Sequence, residues 1–154
     1  MLENCQTAKE RWGGVNTLID QWLNERQELL VEFCNLASQD SYSESDVAQT
    51  SRLRSLCQLL VDYSSAGHFE IYNQLVKEGE EFNDSEALHE AEKLIDRIGP
   101  TTDAILDFND KYLETDDLSS LADDLSTLGI ALESRFGCED QMISVLHSAH
   151  ADDA

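Results

Sequence analysis

"LSSLADDLSTLGIALESRFGCEDQMISVL", residues 118–146, decides how this chain folds. Leu118, Leu121, Leu125, Leu128, Leu132, Met142 and Leu146 recur in alternating steps of three and four, with Arg135 and Glu139 taking the remaining places. An α-helix turns once in about 3.6 residues, so this spacing lines one helix face with apolar side chains. The two charges inside the stripe raise a question of their own. A charge buried alone costs several kcal/mol, so Arg135 and Glu139 need partners on neighbouring helices.

Three more stripes lie upstream. Trp12, Val15, Ile19, Trp22, Arg26, Leu29, Phe33 and Leu36 form the first. Cys57, Leu60, Ser64, His68, Ile71 and Leu75 form the second. Leu88, Ala91, Ile95, Ile98, Thr102, Ile105 and Asn109 form the third. "SQDSYSESD" (38–46), "EGEEFNDSE" (78–86) and "ETDDLSS" (114–120) read as polar connections, with Asn83, Asp84 or Ser85 suited to cap the third helix. One proline and seven glycines leave long helices intact, apart from a kink expected near Gly99, before Pro100. Four long amphipathic helices with short connections predict an all-α, antiparallel up-down-up-down four-helix bundle. It is read as one domain over 1–154, with helices near 3–37, 46–78, 84–113 and 117–150.

On helical wheels, all four segments aim polar groups inward. Arg26, His68, Arg135 and Glu139 are expected to form a buried polar layer, with Thr102 and Asn109 on the third helix. His68 and Glu139 each lie 22 residues from Asp46 and Asp117, the expected helix starts, which predicts a contact between them. Asp62 and Arg135 would sit about a turn away. Such a layer fixes register, or shapes a binding surface above it. Asp62 falls at the edge of the second apolar face. Phe69 and Tyr72 fall on it, and Tyr63 points away from it as a candidate anchor for a partner. Gly67 would admit a close neighbour.

The chain carries 32 acidic and 10 basic residues, a formal charge of −22. That argues against nucleic acid and against an anionic membrane surface, and it favours a basic partner. Cys5, Cys34, Cys57 and Cys138 form no CxxC pair and read as free thiols of a reducing cytoplasm. The opening "MLENCQTAKERW" is too polar for a secretory signal. A metal-carboxylate bundle, or another small-ligand bundle, is the alternative reading. It needs Glu-x-x-His on two helices, and only Glu86-Ala-Leu-His89 supplies one. His147 and His150 read as exposed terminal residues. His68 with Glu139 or Asp62 could do acid–base work, but no nucleophile turn or phosphate loop accompanies them. No enzyme, cofactor or metal is expected.

"LVDYSSAGHFEIY" (60–72) and "ALESRFGCED" (131–140) resemble the two signature segments of the Rsd/AlgQ regulators of the housekeeping sigma factor. "ERWGGVNTLIDQWLNERQELL" (10–30) and "LDFND" (106–110) resemble the AlgQ branch in particular. The resemblance spans nearly the whole chain and is weakest in the acidic turns. It implies a four-helix anti-sigma factor that binds the C-terminal domain of sigma-70, which reads promoter DNA with a basic helix-turn-helix. The free thiols point to the cytoplasm, and a closed four-helix bundle needs no partner chain, so the protein is expected to be cytoplasmic and monomeric when free. Asp62 matches the aspartate that matters for sigma binding, and Tyr63, Phe69 and Tyr72 are the other candidate partner contacts.

Overall fold

A computed structural model describes the backbone of residues 2–153 and the side chains of residues 13–150. The side chains of Cys5 and Trp12 lie outside that range. The chain is all-helical, with no strand among the described residues. Its elements are α1 (Leu2–Ala37), α2 (Val47–Ala66), a π-helical turn (Gly67–Ile71), α3 (Tyr72–Glu81), α4 (Ser85–Glu114), α5 (Leu121–Leu146) and a 3₁₀ segment (Ser148–Asp153). α2, the π turn and α3 run on without a break, so the described residues form four long helical segments and the short 3₁₀ one. No helix among the described residues is long and apolar enough to cross a membrane.

The helix ends follow from short polar side chains. Asp46 caps α2 by accepting the Gln49 N–H at 3.2 Å, and Asp84 caps α4 by accepting the Ala87 N–H at 3.0 Å. Asn83 takes φ 54°, the left-handed conformation asparagine tolerates, and so reverses the chain between α3 and α4. The connection after α1 is held from inside. Buried Gln49 accepts from the Ser43 N–H and donates to the Ser41 carbonyl, while the Tyr42 hydroxyl donates to the Leu36 carbonyl. α4 passes through Pro100 and continues to Glu114.

α1 lies along α2, α4 lies along α5, and α2 and α3 both pack on α4. The α5 stripe is buried along its whole length, including Arg135 and Glu139 at 1% exposure each. Ile19, Trp22, Leu29 and Leu36 of α1 meet Leu56, Leu60, Ile71 and Leu75 in the same core.

The second stripe departs from the expected one. Cys57, Leu60, Ile71 and Leu75 are buried as expected, but Leu56, Tyr63 and Gly67 are buried beside them, while Ser64 is half-buried and His68 exposed. From Tyr63 onward the buried positions step by four, which overshoots an α-helical turn. The π turn absorbs the excess by pairing the Tyr72 N–H with the Gly67 carbonyl, five residues back. Phe69, expected on the apolar side, is carried outward to 74% exposure. Gly67 faces the Trp22 indole, and a Cβ there would lie 2.9 Å from Trp22 Cζ2.

Candidate functional site

The interior holds a charge cluster built from α1, α2, α3, α4 and α5. Glu139 stands at its centre. Its Oε1 accepts the Tyr63 hydroxyl at 2.6 Å, and its Oε2 accepts the Tyr72 hydroxyl. Arg135 Nε lies 3.3 Å from Oε2 and Arg26 Nη2 lies 3.5 Å from Oε1. Arg135 also donates to Thr102 Oγ1 at 2.8 Å and Thr101 Oγ1 at 3.3 Å. Arg26 donates through Nε to the Tyr63 oxygen at 2.9 Å and through Nη1 to Asp140 at 2.6 Å. Two arginines therefore face two carboxylates, and the cluster is neutral as a set.

Aromatic rings wall this cluster. Trp22 stacks on Tyr63 with centroids 4.7 Å apart, and its indole N–H donates to the Tyr63 carbonyl at 3.1 Å. The Arg26 guanidinium lies 4.6 Å from the Phe136 ring centroid. Burial pushes the Glu139 carboxyl up from its ordinary range, against the pull of Arg135, the two phenols and Arg26. Burial, and then the Glu139 charge, push both phenols up, so Tyr63 and Tyr72 remain proton donors.

The structure thus brings Arg26, Arg135 and Glu139 together and leaves His68 out. His68 is exposed, edge-on to Phe69 at 4.8 Å and to Tyr72 at 6.4 Å between centroids. Its expected place on Glu139 is taken by Tyr63 and Tyr72. Tyr63 is 1% exposed rather than outward-pointing, which corrects its reading as a surface anchor. Its signal was present in the Leu56–Leu60–Tyr63–Gly67 spacing, which competes with Leu60–Ser64–His68. Asn109 is buried and donates to the Cys57 carbonyl at 3.3 Å.

Glu25 and Asp62, next in sequence to Arg26 and Tyr63, belong to a carboxylate-rich surface. Asp62 is exposed and accepts the Gln58 side-chain amide at 2.9 Å. Partial burial pushes the Glu25 carboxyl up, and Asp62, Glu28 and Glu70 push it further, so four carboxylates share this patch. Phe69 stands exposed in the same motif. A patch of this kind presents negative potential.

His147 and His150 are buried, contrary to expectation, at 2% and 5% exposure. His147 Nδ1 lies 2.8 and 2.7 Å from the two Glu78 oxygens. His150 Nε2 lies 2.9 Å from Asp84 Oδ2, and its ring stacks on Phe82 at 4.5 Å. Glu78 and Asp84 flank the α3–α4 connection, so the two histidines fasten the end of α5 to it. His89 is exposed beside Glu92, 4.0 Å away. Among the described residues no three His, Cys, Asp or Glu side chains converge to hold a metal.

Fold and site together describe an acidic, all-helical protein with paired interior charges and a carboxylate-rich surface patch. The chain belongs to the Rsd/AlgQ family, regulators of the RNA polymerase sigma(70) subunit, whose sequence profile matches residues 1–147. It is 36% identical over 148 residues to the regulator of sigma D of Yersinia pseudotuberculosis, covering 93% of this chain and 87% of that protein. It is 38% identical over 159 residues to the regulator of sigma D of Salmonella arizonae, covering 100% and 96%. The corresponding figures for the protein of the same name in Enterobacter sp. (strain 638) are 39% over 150 residues, 94% and 89%.

Proposed function

We propose that this chain binds the C-terminal, DNA-binding domain of the housekeeping sigma factor and thereby limits its use by RNA polymerase. It acts as a non-catalytic, cytoplasmic anti-sigma factor, monomeric when free. Residues 1–154 form one antiparallel up-down-up-down bundle, whose interior layer holds the binding face in shape. Asp62 and Phe69 contact the partner from the surface, while Tyr63 and Tyr72 support them from below.

The exposed Asp62 carboxylate, grouped with Glu25, Glu28 and Glu70, carries this reading, and Phe69 is exposed in the same sequence motif. Such a face complements a basic DNA-binding surface and would occlude it from DNA. The net charge of −22 would steer the encounter over a distance. Titration against the purified sigma C-terminal domain at two salt concentrations tests the proposal. Binding that weakens as salt rises is expected. No binding at low salt would refute it.

A further inference from the structure

Beyond α5, one ring joins the Ser148–Asp153 segment to a distant part of the chain. Ser148 and Ala149 are exposed, whereas His150 is buried. His150 Nδ1 lies 2.9 Å from the Leu146 carbonyl oxygen, and Nε2 lies 2.9 Å from Asp84 Oδ2. A carbonyl and a carboxylate both accept hydrogen bonds, so both ring nitrogens have to donate. A neutral imidazole carries a single N–H, and its other nitrogen would turn a lone pair toward an acceptor. The surroundings therefore suit the imidazolium form. The Phe82 ring, stacked 4.5 Å away, offers that cation a π face.

The charges around the ring agree. Asp84 faces it from the α3–α4 connection and Glu78 from α3, with Glu81 acting on Glu78 in turn. His147 of α5 pairs with Glu78, and α1 contributes the neutral Asn16 amide beside His147. Burial works against the charge on His150, and Asp84, the Leu146 carbonyl and Glu78 outweigh it.

Asp84 serves two elements at once. Its Oδ1 accepts the Ala87 N–H at the start of α4 while its Oδ2 takes His150. The apolar hold on α5 reaches as far as Leu146, which is fully buried against Gly79, where an added Cβ would lie 2.7 Å from Leu146 Cδ2. Losing the His150 proton thus cuts a polar tie that lies beyond the core. We propose that Ser148–Asp153 is a proton-operated clasp, closed on Asp84 when His150 is doubly protonated and open, with the bundle still folded, when His150 is neutral. The proposal is independent of the sigma-binding reading.

The test is an NMR titration of the full chain from about pH 5.5 to 8.5, following imidazole nitrogens and backbone amides. At the low end His150 should carry two N–H groups, and its midpoint should lie above 6.5. The Ala87 amide should shift with that same midpoint, and the Ala149 order parameter should fall from about 0.85 to below about 0.6. Tyr63 and Leu128 amides, in the core, should hold their positions. Asp84→Asn keeps a capping oxygen and should lower the His150 midpoint. His150→Gln should abolish the pH-linked changes at Ala87 and Ala149. A single N–H on His150 at low pH, an Ala149 that stays rigid above the midpoint, or the same changes persisting in His150→Gln would each overturn the proposal. So would core amides that move together with Ala149.

Discussion

Tyr63 and Glu139, 76 positions apart in the chain, meet in the interior through a 2.6 Å hydrogen bond. The contact ties the middle of α2 to α5. Glu139 accepts from two phenols and lies beside two arginines, so removing that one carboxylate leaves buried Arg135 without an opposite charge, while Arg26 keeps Asp140. Glu139→Ala should destabilise the fold by about 3–5 kcal/mol in denaturant unfolding, the cost of an uncompensated buried charge. Tyr63→Phe should cost about 1–3 kcal/mol, because Glu139 and Arg26 each lose a partner. A change within about 0.5 kcal/mol for Glu139→Ala would show that the cluster contributes no stability.

Asp62 stands in contrast. Its recorded partner is Gln58, one turn earlier on the same exposed helix face. Asp62→Ala should therefore leave the unfolding free energy within about 0.5 kcal/mol. The same change is expected to weaken binding of the sigma domain about tenfold, or about 1.4 kcal/mol. Unchanged affinity would remove Asp62 from the binding face. A clear fall in Tm would recast it as a structural residue.

Gly67 and Gly137 make a matched pair. Alanine at 67 would place Cβ 2.9 Å from the Trp22 ring, a rigid neighbour already stacked on Tyr63. Gly67→Ala should destabilise by about 1–3 kcal/mol through overpacking, after any gain in helix propensity. At 137 a new Cβ meets nothing within 4 Å. Gly137→Ala should stabilise by about 0.5–1 kcal/mol. Equal Tm shifts for the two variants would contradict the close approach of Trp22.

The α5 terminus should respond to pH. Burial lowers the His150 pKa, but the Asp84 carboxylate and the Leu146 carbonyl outweigh it and hold the net value above the ordinary 6.5. The native state then binds the proton more tightly than the unfolded chain. Its contribution is full below about pH 6.5 and is lost as pH rises through the raised value. Burial raises the Glu78 carboxyl despite His147, which also makes stability fall as pH climbs, from 4.5 upward. Asp84, lowered by the Ala87 N–H and then His150, acts the other way, and its contribution is lost only as pH falls below 3.8. The Tm should decline as pH rises above about 6.5, and His150→Ala should flatten that decline. Parallel pH profiles for the two proteins would rule out the Asp84 pairing as its source.

What could be read from the residues alone depended on how far each interaction reaches along the chain. The α5 stripe was legible because every place in it is either leucine, methionine or a charge that demands a partner. Arg26, Arg135 and Glu139 were legible for the same reason. His68, Tyr63 and Phe69 were misassigned because a wheel with a fixed 100° step cannot register a π turn. Leu60–Tyr63–Gly67 and Leu60–Ser64–His68 fit the same helix until the turn is known. His147 and His150 were hidden differently. Their partners Glu78 and Asp84 lie 69 and 66 positions away, on the far side of α4, and nothing local announces them.

The π turn also sets an angular tolerance. An extra residue between Tyr63 and Leu75 advances the second half of the segment by about 100° relative to an uninterrupted helix. Asp62 and Phe69 can then look outward while Ile71 and Leu75 return to the interior. A chain one residue shorter here could keep its carboxylate face in line or its apolar face in line, but not both. The motif is consequently metered by its length as strictly as by its composition, and substitutions should be accepted in it more readily than insertions or deletions.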